Sequence, residues 1–221
     1  MFATPTYRGL TDPGFIDSLE ETVNLCQMRG HTTQFLLVQG CCYVQEARNK
    51  IVKLFLDSAA DVLFFLDDDI TWSAGAALHV INTPGDIVAG IYPLKQAEPR
   101  FPVVIHTTAT HQPEQRADGC IAAAALPTGF MCIRRSVLER MVEAYPEQRY
   151  VDDKGDTYYD LFPQGVDNGQ WVGEDYAFCR LWKRLGGEMW VQANIDFEHA
   201  GYHGNFYRYL TAQPGGATDG N

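Results

Sequence analysis

The feature that most constrains this chain is an apolar run, Val62–Leu66, that stops abruptly at three aspartates, Asp67, Asp68 and Asp69. The run is continuous rather than alternating, which is typical of a strand covered on both faces in the centre of a parallel sheet. In open α/β sheets, ligands bind outside the carboxyl ends of the strands. The sequence therefore predicts a buried central strand that ends in a cluster of carboxylates.

Strand and helix patterns alternate through the first half of the chain, and a strand-rich middle follows. Helices are predicted from Asp12-Pro13, over 44–58, after Ser73, from the capping box of Ser136 with Glu139, and over 174–185. Strands are predicted at 1–3, 34–39, 62–66, 86–91, 103–106, 120–124, 130–133 and 189–191, with a turn at 4–6. This order predicts an α/β fold with a mainly parallel mixed sheet flanked by helices. We expect one domain over residues 1–213 and a flexible tail over 214–221.

Composition narrows the classes of function. Of 221 residues, 46% are hydrophobic, as in globular chains, and 17 basic against 28 acidic residues leave a formal charge of −11. That charge argues against general binding to nucleic acids or anionic membranes, which needs surplus lysine and arginine. The sequence shows no signal-peptide pattern and no run approaching the roughly 20 apolar residues of a membrane span, so we expect a soluble cytoplasmic protein. The six cysteines show no metal-ligand spacing; their even number would permit disulfides, but several lie in apolar runs where a buried free thiol fits better.

The three aspartates favour a cation site. Adjacent carboxylates raise one another's pKa unless a cation neutralises them, and hard oxygen ligands suit Mg²⁺ or Mn²⁺. Asp67 and Asp69 point to the same side if the strand continues through them, which makes both candidate metal ligands. The structural alternative is that one aspartate caps a helix at Ser73 and the others are solvated turn residues.

Several segments together resemble glycosyltransferases of the GT-A fold, in particular compact family 2-like enzymes from bacteria and phages. Phe65-Leu66-Asp67-Asp68-Asp69-Ile70 is similar to their D-x-D element. The resemblance implies that Asp69 binds a divalent metal bridging the donor diphosphate, with Asp67 and Asp68 facing the nucleotide.

Other segments fit the donor side of the same family. Ala47-Arg48-Asn49 resembles a segment near the nucleotide, where Arg48 would donate to phosphate or base oxygens. Thr4, Pro5 and Tyr7 match the region that cradles the nucleobase, and Lys95 follows a strand where it would face the donor sugar or diphosphate. The alternatives are a solvated helix charge for Arg48, packing for Tyr7 and a plain surface lysine for Lys95.

The acceptor side resembles the family in three further segments. Thr128-Gly129-Phe130 is similar to its T-G-F strand, where Gly129 permits close approach of a sugar or, alternatively, forms a bulge. Glu174-Asp175 resembles the E-D element, which makes Asp175 the general base and Glu174 its helper or an acceptor ligand; helix capping is the alternative. His199 matches the H-x-G metal ligand, and His203 competes for that role or contacts the diphosphate.

These elements occur in the family's order from Thr4 to Gly201. The resemblance implies a metal-dependent, hexosyltransferase-like enzyme that uses a nucleotide-sugar donor, with UDP favoured, and an acceptor that the sequence does not identify. Three other readings stay open: a glycosyltransferase acting on modified bases of phage DNA in the host cytoplasm, a nucleotidyltransferase, and a non-catalytic nucleotide- or carbohydrate-binding module. Neither the stereochemical outcome nor the oligomeric state follows from the sequence.

Overall fold

The computed structural model describes residues 1–10 and 12–212, so the predicted tail at 214–221 lies outside the described part. The α-helices there are α1 (Pro13–Met28), α2 (Val44–Leu56), α3 (Ala76–Asn82), α4 (Arg135–Ala144), α5 (Glu174–Arg184) and α6 (Phe206–Ala212), with a 3-10 turn at Pro146–Gln148. The first eight strands are β1 (Phe2–Thr6), β2 (Phe35–Gln39), β3 (Val62–Leu66), β4 (Ile70–Trp72), β5 (Ile87–Ala89), β6 (Val104–Ile105), β7 (Ile121–Ala125) and β8 (Phe130–Arg134). The others are β9 (Arg149–Val151), β10 (Thr157–Tyr159), β11 (Gly165–Asp167), β12 (Gln170–Val172), β13 (Met189–Val191), β14 (Asp196–His199) and β15 (Tyr202–Asn205).

The main sheet has eight strands in the order β2-β1-β3-β8-β5-β13-β7-β6. β1 is parallel to β2 and β3, and β13 is parallel to β5, whereas β8 and β7 are antiparallel to each of their neighbours. All strands except β8 and β7 therefore run in one direction, which confirms the predicted mainly parallel, mixed α/β sheet. Smaller sheets are formed by β9 with β10, β11 with β12, and β15-β14-β4.

Strand β3 shows why its sequence is apolar throughout. Leu63 and Phe65 are buried in a core with side chains of α2, α4 and α5, whereas Phe64 and Leu66 are buried in a second core with side chains of α1 and α3. Alternate side chains of a strand point to opposite faces of its sheet, so helices cover this strand on both sides.

The predicted turn at residues 4–6 is wrong, because β1 continues through Pro5 to Thr6. Phe2 N donates to Gln34 O and Gly40 N donates to Thr6 O, so the even-numbered residues bond to the β2 side. The backbone of Pro5 consequently faces the β3 side, where pairing with β1 has already ended at Ala3. A proline is tolerated there because the missing N–H has no strand partner to lose.

Two predicted helix starts differ in outcome. Asp12 caps α1 as expected, since its Oδ1 accepts a hydrogen bond of 3.0 Å from Phe15 N. The capping box of Ser136 with Glu139 is wrong: α4 begins at Arg135, and its N-cap residue Arg134 makes no capping side-chain hydrogen bond.

Arg135 instead closes the carboxyl end of α2. Its guanidinium donates to the carbonyls of Phe55, Leu56, Ser58 and Ala60 at 2.8–3.3 Å. Replacing it with alanine leaves these helix-end carbonyls unpaired, and we expect the free energy of unfolding to fall by about 2 kcal/mol. Urea unfolding measures this, with Arg208→Ala as the control, because the Arg208 side chain is 74% exposed. Equal stability of the two variants would contradict the capping role.

All six cysteines are free thiols. Burial raises the pKa of the Cys132 and Cys179 thiols to about 12, which keeps both protonated. Within residues 1–10 and 12–212, no helix combines the length and apolar character needed to cross a bilayer.

Candidate active site

The predicted carboxylates lie at one edge of the main sheet. β1 ends at Thr6, β3 ends just before Asp67, and β5 ends shortly before Tyr92. These three strands run in the same direction, so their carboxyl ends meet at one edge. β8 is antiparallel to them, so Gly129, which precedes it, lies at the same edge. This is where an open α/β sheet usually binds its ligand.

The three aspartates form a turn rather than an extension of β3, because the strand ends at Leu66. Both carboxylate oxygens of Asp67 have protein donors: Arg48 Nη2 lies 3.2 Å from Oδ1, and the Tyr92 hydroxyl donates to Oδ2 at 3.0 Å. Burial and the charge of Asp67 raise the pKa of Tyr92 well above its ordinary value, so the hydroxyl keeps its proton. The structure thus pairs both carboxylate oxygens of Asp67 with protein donors, Arg48 and Tyr92.

Gly129 makes this arrangement of Asp67 possible. A Cβ atom at Gly129 would lie 2.2 Å from Asp67 Oδ2 and 2.4 Å from the Tyr92 hydroxyl. Its carbonyl also accepts a hydrogen bond of 2.9 Å from Asp67 N. The expected role of Gly129 needs correction on this point, because the space it leaves is filled by Asp67 and Tyr92 rather than by a sugar.

Arg48 links this turn to helix α5. Its side chain is only 5% exposed, and Nη1 lies 2.5 Å from Glu174 Oε1 at the start of α5. Burial opposes the positive charge, but the charges of Asp67 and Glu174 outweigh it and raise the pKa of Arg48. The prediction that Arg48 donates to phosphate or base oxygens does not fit this geometry, since each terminal nitrogen already holds a carboxylate of the chain.

Asp69 faces a different set of partners. His199 Nε2 lies 3.3 Å from Asp69 Oδ1, and the Lys95 ammonium donates to Oδ2. Burial alone would raise the pKa of Asp69, but the hydrogen bonds from His199 and Lys95 lower it to about 2. Lys95 is therefore not a plain surface lysine, because its ammonium lies beside Asp69.

A hairpin brings His199 to Asp69 and turns His203 away. β14 pairs with β4, which starts directly after Asp69, and Ala200 N donates to Asp69 O at 3.1 Å. Glu198 is the cross-strand partner of His203, so their side chains share the hairpin face opposite to that of His199. The His203 side chain is 75% exposed and lies 3.8 Å from Glu198. Of the two histidines, the structure places His199 beside Asp69.

Asp175 lies in the first turn of α5, where the prediction put it. Burial, together with the negative charge of Glu174, raises its pKa to about 6, although Arg48 and a hydrogen bond of 2.8 Å from Tyr176 N oppose the shift. A carboxylate with this pKa can accept a proton near neutral pH and release it again. Asp175 therefore has the protonation behaviour that a general base requires.

The donor atoms at Asp69 suit a divalent cation. His199 Nδ1 lies 2.7 Å from Pro93 O and carries the proton for that bond, so Nε2 meets Asp69 Oδ1 either through a second proton or, without one, through a lone pair able to bind a cation. A proton or a cation is needed between such atoms. Among the described residues no three His, Cys, Asp or Glu side chains converge on a metal position. Mg²⁺ and Mn²⁺ sites nevertheless often use one or two protein ligands, completed by water and substrate phosphates.

The remaining predicted site residues, in β1, just after it and in the aspartate turn, differ in their exposure. Thr4 and Pro5 are buried within β1, whereas Tyr7 is 64% exposed, and contact of these residues with a nucleobase stays a prediction. Asp68 Oδ2 accepts a hydrogen bond from the Thr6 hydroxyl, and burial raises the pKa of Asp68 against that bond.

Two residues that form hydrogen bonds with the aspartates, Tyr92 and Thr6, were not predicted as site residues. Tyr92 follows a buried strand, and Thr6 ends one, so the rule that ligands bind at carboxyl ends of strands would have found both. Of the described cavities of about 470–530 Å³, one is lined by His203 and none by Asp67 or Asp69, whose side chains are 25% and 33% exposed at the sheet edge.

No protein-family model matches the chain, and no curated protein matches it either. Similar solved structures include the following three. A glycosyltransferase involved in the glycosylation of the major capsid of PBCV-1 shares 10% identity over 66% of each chain, with a TM-score of 0.33. The inositol-1-phosphate CTP transferase from T. maritima shares 10% identity over 90% of this chain and 88% of that one, with a TM-score of 0.44. Both TM-scores are too low to support an argument.

The third structure, A197 from STIV, has a TM-score of 0.55 and 17% identity, and the match covers 90% of this chain and 84% of A197. A match of this extent and identity supports a statement about fold alone. The chain therefore shares its fold with A197 from STIV.

Proposed function

We propose that this chain is a metal-dependent glycosyltransferase that moves a sugar from a nucleotide-sugar donor, with UDP the first nucleotide to test, to a hydroxyl acceptor. The observation that carries the proposal is the pair formed by Asp69 and His199. Two segments 130 positions apart in the sequence, each similar to a metal-binding element of the same family, meet with Oδ1 and Nε2 at 3.3 Å. Their order along the chain alone would not require that contact.

Asp69 and His199 would hold the cation, which when bound neutralises the negative charge of the diphosphate leaving group. The Lys95 ammonium already lies against Asp69 and would add positive charge where the diphosphate is released. Rate enhancement in such a site comes mainly from positioning and from stabilisation of the leaving group's charge.

Asp175 would accept the proton of the acceptor hydroxyl. Its pKa of about 6 makes it mostly ionised at neutral pH and a stronger base than an ordinary aspartate. Attack from the side opposite to the leaving group would invert the configuration at the anomeric carbon, which NMR analysis of the product can establish.

Calorimetric titration tests the metal and nucleotide assignments. We expect UDP to bind the wild type with Mn²⁺ and not with EDTA, and Asp69→Asn and His199→Gln to weaken this binding by about 10- to 100-fold, as loss of a ligand or its support does. His203→Gln is the matched control, since it changes the same hairpin on its other face. It should bind like the wild type.

Four outcomes would contradict parts of the proposal. Equal affinity of wild type and Asp69→Asn would remove the metal site, and binding that survives EDTA would remove metal dependence. Failure of UDP, GDP, CDP, ADP and dTDP alike would remove the nucleotide-sugar donor. Release of pyrophosphate rather than a nucleoside diphosphate during turnover would identify a nucleotidyltransferase instead.

A further inference from the structure

Arg48 differs from Lys95, the other cation at the site, because it is enclosed by the protein. Its side chain is 5% exposed, and its two terminal nitrogens contact Asp67 and Glu174 at 3.2 Å and 2.5 Å. The guanidinium also lies 6.0 Å from the centre of the Phe162 ring. An incoming phosphate would have to displace one of these partly buried carboxylates to reach it, which breaks an existing ion pair. Arg48 is thus placed to hold parts of the protein rather than a ligand.

Arg48 joins the segment that contains Asp69 to the segment that contains Asp175. Asp67 starts the turn that contains Asp69, and Glu174 starts the helix that contains Asp175. Arg48 and Glu174 are 126 positions apart in the sequence, so their contact is made by the tertiary fold alone. On the far side of Asp67, the Tyr92 hydroxyl fixes the other carboxylate oxygen. We name the contacts from Tyr92 through Asp67 and Arg48 to Glu174 the Arg48 bridge.

We propose that Arg48 is a positioning residue that fixes the aspartate turn relative to the first turn of α5. It thereby sets the distance between Asp69 and Asp175, whose separate roles in donor binding and proton transfer rest on the proposed function. An arginine suits this position because its planar fork holds two carboxylates at once, whereas a lysine ammonium is a single point charge. The positive charge of Arg48 also offsets the repulsion between the carboxylates of Asp67 and Glu174.

Turnover and nucleotide affinity, measured on the same variants, test the proposal. Displacing catalytic groups by about 1 Å costs on the order of 100-fold in rate, so we expect such a loss of kcat in Arg48→Met. Affinity for UDP with Mn²⁺ should stay within about threefold, because neither proposed cation ligand is changed. The double variant Arg48→Met with Glu174→Gln should be no slower than the slower single variant, since both remove one link. Arg48→Lys should recover only part of the rate.

The surface pair of Lys50 with Glu46 provides the matched control. It lies on the same helix, with Nζ and Oε1 2.6 Å apart and both side chains more than a third exposed. Lys50→Met and Glu46→Gln should leave kcat unchanged. Two results would overturn the proposal: UDP affinity that falls in parallel with kcat, which would make Arg48 a ligand-contacting residue, or losses that multiply in the double variant.

Hydrogen exchange tests the bridge without any activity. Asp67 N donates to Gly129 O, and Ala177 N donates to Gly173 O. These two amides therefore report on the aspartate turn and on the first turn of α5, the two segments that the Arg48 bridge joins. We expect Arg48→Lys and Glu174→Gln to speed exchange at both amides together, and Lys50→Met to change neither. Unchanged exchange at either end would refute the bridge. If the wild type binds no nucleotide, the proposed function fails while this measurement still decides the bridge, and it does not depend on Arg48→Met folding.

Discussion

Replacing Asp175 with asparagine is expected to lower kcat by about 1,000-fold, because removal of a general base typically costs 10²- to 10⁴-fold. Asparagine has nearly the same shape but cannot accept the acceptor proton. UDP affinity with Mn²⁺ should stay within about threefold of the wild type, since the cation ligands are unchanged. Asp196→Asn is the control, because that side chain is 67% exposed. Near-normal turnover of Asp175→Asn would remove the base assignment.

The wild type should also lose kcat as the pH falls through about 6, where Asp175 takes up a proton. Burial and the charges of Glu174 and Asp67 raise this pKa, and Arg48 lowers it. Tyr176, whose own pKa is raised to about 12, stays protonated throughout this range. The measurement is the pH profile of kcat between 4.5 and 8. A flat profile down to about pH 5 would contradict the assignment.

The same shift predicts that Asp175 destabilises the fold at neutral pH. Its pKa is higher in the folded than in the unfolded chain, so its contribution to stability is lost as the pH rises from about 4 to about 6. Asp175→Asn should therefore be more stable than the wild type at pH 8, by roughly 1 to 2 kcal/mol after allowance for partial exposure. Thermal unfolding at pH 8 and pH 4 checks this. A gain at pH 8 would also show that lost turnover is not caused by unfolding.

Gly129→Ala is expected to lower the free energy of unfolding by about 3 kcal/mol and Tm by roughly 6–12 °C. The added Cβ would lie 2.2 Å from Asp67 Oδ2, so the carboxylate must move. Arg48 would then be a buried charge without one of its partners. Turnover should fall together with stability, because the aspartate turn moves as well.

Gly75→Ala is the matched control, because a Cβ there meets no atom within 4 Å and the backbone φ is −85°. We expect it to cost at most about 1 kcal/mol. Calorimetric melting of the two variants gives the comparison. A Gly129→Ala protein as stable as Gly75→Ala would show that Asp67 can relax away from Arg48 at little cost.

Much of the fold follows from local pattern. The continuous run 62–66, the cap at Asp12 and the periodic helices α1, α2 and α5 are near their predicted bounds, because long apolar patterns and caps act over a few residues. The paired strands β9–β12 and the hairpin of β14 and β15 were not predicted. Strands of three or four residues are too short to show a periodicity, and their partners are chosen by tertiary packing.

The candidate site, like the fold, was predictable from the sequence only in part. The sequence by itself determined that Asp69 follows a strand and that Asp175 lies in the first turn of a helix, because acidic residues after an apolar strand and before an amphipathic helix mark those positions locally. Only the tertiary structure decided the partners: His199 and not His203 meets Asp69, and Arg48 holds Asp67 and Glu174 instead of a phosphate. These contacts join segments up to 130 positions apart, and the sheet order and hairpin register that create them are properties of the whole fold.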